Sequence, residues 1–145
     1  MDCLLYLATE APATWRRLLK KLDGERSEWE YPFAVAGLNL AFMLLDVIGL
    51  HQHAAAAGRG GGAERKAAIV TGTAAGRGFA GLTSCEPFAF EELFVVTFEC
   101  LDREWLQQRA SYMEFNSVVK AVRASVERAL GSQPKSISAM RQTLL

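Results

Sequence analysis

The chain has 145 residues, half of them apolar, with 16 basic and 16 acidic side chains. That suffices for one domain with a real core, and the zero net charge argues against a general nucleic-acid binder, which would carry a basic excess. Cys3, Cys85 and Cys100 show no C-x-x-C spacing and read as reduced thiols of a cytosolic protein, and MDCLLYLATEAP lacks the basic n-region of a secretory signal.

Residues 2–10 are a short helical stretch in which Leu4, Leu5, Leu7 and Ala8 make a broad apolar face. Pro12 restarts the chain. Residues 13–22 then set Trp15, Leu18, Leu19 and Leu22 on one helix face, with Arg16, Arg17, Lys20 and Lys21 on the other. That basic face reads as a solvated surface, with docking to anionic lipid or an acidic partner as the alternative. Asp23-Gly24 ends the helix, because Gly supplies a left-handed cap, and residues 25–30 form a polar connection.

The next stretch, residues 31–50, reads YPFAVAGLNLAFMLLDVIGL and is interrupted by only two strongly polar side chains, Asn39 and Asp46. Twenty residues at about 1.5 Å each would just cross a bilayer core. Asp46 within the span, at about 2.5–3.5 kcal/mol or more at mid-bilayer, and the lack of flanking Lys/Arg asymmetry favour a buried helix in a soluble bundle. Pro32 suits the first helical turn, Gly37 admits a close neighbour, and Asn39 and Asp46 become buried or half-buried groups that need partners.

Residues 54–83 consist largely of Ala, Gly and a few Arg, and read as a long loop or low-complexity insertion. Pro87 starts a helix over 87–109 whose core stripe is Phe90, Leu93, Phe94, Phe98, Leu101 and Trp105, with Glu91, Glu92, Glu99, Asp102 and Glu104 on the remaining faces. Ser111 and Glu114 fit a capping box for a helix carrying Phe115, Val119, Val122 and Val126, closed by Gly131. Ser136 caps a last short helix. Alternation of period two persists nowhere beyond residues 69–71. The fold class is therefore all-α: a single compact multi-helix domain, residues 1–145, around a central helix at about 32–50.

Chemistry-bearing motifs are few. Thr71, Gly72, Gly76 and Gly78 match a T-G-x-x-x-G-x-G nucleotide-binding pattern, but no strand–helix alternation follows and no Tyr-x-x-x-Lys pair exists, since Asn116 stands four after Tyr112. His51 and His53, even with Cys85, lack metal-ligand spacing. Adjacent Glu91 and Glu92 point to different sides of a helix, which excludes a joint acid–base role. No catalytic, metal or cofactor-binding residue is expected.

Three segments together resemble the ELMO domain: WEYPFAVAGLNLAFMLLDVIGL at 29–50, FEELFVVTFECLDREWL at 90–106 and ASYMEFNSVVKAVRASVERAL at 110–130. The lead-in LLYLATEAPATWRRLLKKLDGERSEWEYPF is similar too, and the likeness is to the plant-type ELMO-domain-containing proteins, over residues 2–53 and 86–131. The resemblance implies a cytoplasmic regulator of small GTPases, of a family that activates Arf- and Arl-type members. It implies a regulatory protein rather than an enzyme in its own right, with peripheral association with endomembranes as an option. The alternative is a non-catalytic GTPase-binding or scaffold module working with exchange factors for Rac-type GTPases. Activating members carry an arginine in a Phe-Arg-Gly-x-Gly element with an aspartate-proline, whose guanidinium would stabilise charge on the transferring phosphoryl group. That element does not occur in this sequence, and Arg59 and Arg77 lack its context. The family-motif positions expected to build the domain or touch a partner are Tyr31, Pro32, Phe33, Asn39, Asp46, Trp105, Tyr112, Glu114 and Asn116.

Overall fold

A computed structural model describes residues 3–19, 30–50 and 72–145. The described residues form seven α-helices and no strand: α1 Cys3–Glu10, α2 Pro12–Leu19, α3 Phe33–Val47, α4 Ala74–Thr83, α5 Ala89–Gln108, α6 Phe115–Gly131 and α7 Ile137–Leu144. A 3-10 turn, Tyr112–Glu114, joins α5 to α6. The all-α expectation holds, and the boundaries of α1, α5 and α7 fall within two residues of the spacing-based ones.

The hub of the bundle is α5, which packs against every other α-helix. Every side chain from Leu93 to Asp102 is buried, through almost three turns. Phe94 and Phe98 meet edge-on at 5.7 Å between ring centroids, and Phe33 of α3 stacks on Phe98 at 4.9 Å. Such pairs add about 0.5–1.5 kcal/mol beyond the area they remove from water.

The centre expected at residues 32–50 is thus divided between two helices. One face of α3 is buried through Ala36, Gly37, Leu40, Met43, Leu44 and Val47. Gly37 admits a close neighbour as expected: a methyl group there would press on Leu4 of α1. The opposite face is open, with Val35, Leu38 and Phe42 exposed by 51%, 57% and 51%. Pro32 is the cap residue just before α3 rather than part of its first turn, and its carbonyl accepts from the Ala36 N–H.

The loop reading of residues 54–83 is corrected for its last ten residues, while residues 54–71 lie outside the described residues. Ala74–Thr83 is a helix, started by the Thr73 hydroxyl, which accepts from the Gly76 N–H at 2.9 Å. It buries Ala75, Phe79 and Leu82 and packs chiefly on α6. Gly78 is what permits that approach. A methyl on Gly78 would strike the Leu130 backbone carbonyl, so only a residue without a side chain lets the two backbones come this close. The helical cost of Gly, about 1 kcal/mol relative to Ala, is offset by tertiary contact.

Helix ends follow local chemistry. The Glu114 carboxylate accepts from both the N–H and the hydroxyl of Ser111 at 2.6 Å, the Glu half of the expected capping box. The Ser136 hydroxyl caps α7 by accepting from the Ala139 N–H. The closing role expected of Gly131 is also corrected: Gly131 is the last helical residue of α6, and Gln133, two residues on, takes the left-handed backbone at φ 55°.

Candidate functional site

The expected motif residues separate into three places. Tyr31, Phe33 and Trp105 belong to the core. Tyr31 and Trp105 are buried edge to face at 5.3 Å, and the Tyr31 hydroxyl donates to Asp102 at 2.8 Å. Tyr112 and Glu114 lie on the exposed α5–α6 turn, where Tyr112 is 69% exposed. Asn39, Asp46 and Asn116 come together, although they stand far apart in sequence, on the walls of an open groove of about 520 Å³ between α3 and α6.

That groove is the candidate site. Phe42 and Met43 of α3 and Val119 of α6 supply its apolar surface, and Lys120 and Arg123 of α6 its cations. Asp46 is half-buried, as expected, and pairs with Arg123 at 2.6 Å; the Arg123 Nε also donates to Glu127 at 2.8 Å. These carboxylates hold the guanidinium pKa above its ordinary value, against some desolvation. Asn39 corrects the sequence reading. It is exposed, and its amide donates to the Val35 carbonyl of its own helix at 2.8 Å, with no buried partner involved. The groove has the character of a recognition surface: apolar floor, amide walls, a fixed ion pair and an exposed lysine.

A second polar cluster escaped the sequence reading. Glu99 and Asp102, assigned there to the outer faces of their helix, are buried. Glu99 accepts from Thr14 and Arg17 of α2, each at 2.8 Å, and pairs closely with Arg141 of α7. Arg17 also lies 3.9 Å from Asp102. Arg17 stays exposed, as assigned, but its guanidinium also reaches these two carboxylates. The cluster ties α2, α5, α7 and the lead-in to α3 together, and both oxygens of Glu99 accept from protein donors. The signal that could have found it is the continuous run LFVVTFECL. A helix without a polar face must be surrounded, and then its later carboxylates are surrounded as well.

Other sequence candidates do not assemble. Gly76 and Gly78 of the nucleotide-like pattern are buried in α4 against protein, and Arg77 is exposed. Thr71, His51, His53 and Arg59 lie outside the described residues. Among the described residues no three of His, Cys, Asp and Glu cluster as metal ligands. Glu92 accepts from the Tyr6 hydroxyl at 3.4 Å, a structural tie of α5 to α1, and burial together with this carboxylate pushes the phenol pKa up. Cys3 and Cys100 are buried and Cys85 is exposed; burial raises the Cys100 thiol pKa, away from reactivity. No helix among the described residues is long and apolar enough to cross a membrane.

A family model described as the ELMO/CED-12 family matches residues 1–119. The chain belongs to this family. Among curated relatives, engulfment and cell motility protein 3 of Bos taurus is 23% identical over 141 residues, covering 97% of this chain and 19% of that protein. Engulfment and cell motility protein 2 of Homo sapiens is 26% identical over 147 residues, covering 99% and 18%. ELMO domain-containing protein A of Dictyostelium discoideum is 28% identical over 145 residues, covering 96% and 14%. The chain thus spans less than a fifth of the length of each of these relatives. No solved structure matches it. The match places α1 to α5 and the start of α6, including both walls of the groove as far as Val119, within the family's shared region.

Proposed function

We propose that this chain is a non-catalytic helical interaction module in small-GTPase signalling, of the kind that works as a scaffold with exchange factors for Rac-type GTPases. Family membership supports this reading, as does the similarity to engulfment and cell motility proteins 2 and 3. The observation that carries it is the open α3–α6 groove, where three family-motif residues from two helices converge beside an exposed apolar face. Residence at endomembranes and partnership with an Arf- or Arl-type GTPase belong to the second, activating reading.

The test uses the full chain as bait for Rac-, Arf- and Arl-type GTPases loaded with GDP or a non-hydrolysable GTP analogue, with and without a Rac-type exchange factor. The expected result is retention of the exchange factor or a GTPase without faster single-turnover GTP hydrolysis. Acceleration on an Arf- or Arl-type GTPase would replace this reading with the activating one. Retention of neither class of partner would overturn it.

A further inference from the structure

We draw no further inference here: the strongest candidate, the acidic surface at the start of α5 where Glu10, Glu91 and Glu92 lie about the Tyr6 phenol beside the exposed ring of Phe88, is an acidic cluster at a helix N-terminus, and nothing in the structure shows what covers it.

Discussion

Two helices of this domain reverse what their compositions suggest. Helix α3 carries a single charged residue and leaves a whole face open to water, whereas α5 carries six and is the hub of the bundle. Position in the bundle decides the matter, and composition does not. Helix α5 can bury Glu99 and Asp102 because Arg17, Arg141, Thr14 and Tyr31 converge on them from three other parts of the chain. The main contacts of helix α3 are with α5 and α6, and Val35, Leu38 and Phe42 on its outer face are exposed. The difference separates a helix buried on all its faces over almost three turns from one buried along a single face.

The sharpest way to break that comparison is to make one substitution in both helices. Phe98→Ala in α5 removes a fully buried ring that touches Tyr31, Phe33 and Phe94, and should cost about 3–5 kcal/mol. Phe42→Ala in α3 should change stability by no more than about 0.5 kcal/mol. Urea unfolding of the two variants checks both. Equal losses would mean that α3 is covered after all.

The buried carboxylates give the next largest effect. Arg17 and Arg141 are 53% and 44% exposed at their side chains, so each can return to water if Glu99 is removed. The reverse does not hold: Arg17→Ala combined with Arg141→Ala leaves Glu99 buried without a counter-ion. Breaking a buried pair from that side should cost about 3–5 kcal/mol, and more than Glu99→Gln does. Chemical denaturation of the double variant beside Glu99→Gln measures the asymmetry. If Glu99→Gln proves the costlier, the cluster acts by attraction rather than by compensating desolvation.

The sequence carried most of the helices and little of this arrangement. Period-3.6 spacing located α1, α5, α6 and α7, because each buries a stripe whose residues are its own. Which helix sits at the centre is a property of several chains of contact at once, so the most apolar segment was the wrong guide. Asn39 and Asp46 show the same limit: both were expected to need partners, but one satisfies itself on its own helix while the other finds Arg123 in α6. The groove was illegible for that reason, since its walls are about seventy residues apart in sequence. Helix α4 was missed through a sound rule applied without its tertiary term: Gly lowers helix propensity, but at Gly78 the lack of a side chain is what lets α4 meet α6.

That last point predicts opposite signs at two glycines of one helix. Gly78→Ala places a methyl against the Leu130 carbonyl and should destabilise by about 1–3 kcal/mol, since the obstacle is backbone. Gly81 has open space around the same position, so Gly81→Ala should stabilise by about 0.5–1 kcal/mol through helix propensity. Thermal melts of both variants settle whether α4 is held by contact with α6 or by its own sequence.

The smallest effect belongs to the exposed turn between α5 and α6, where the comparison shrinks to one carboxylate in water. Glu114 accepts from the Ser111 hydroxyl and N–H, and these bonds hold its pKa below the ordinary value for Glu. A folded-state pKa below the unfolded one means that the unfolded chain binds the proton more readily. The stabilisation is therefore complete above the unfolded value of about 4.3 and is lost as pH falls through the lower folded value. Glu114→Gln should melt below the parent at pH 7, and the gap should narrow in acid, as the parent loses the charge that the variant never had. A gap independent of pH would mean that shape rather than charge makes the cap, and Ser111→Ala would then be the more damaging of the two changes.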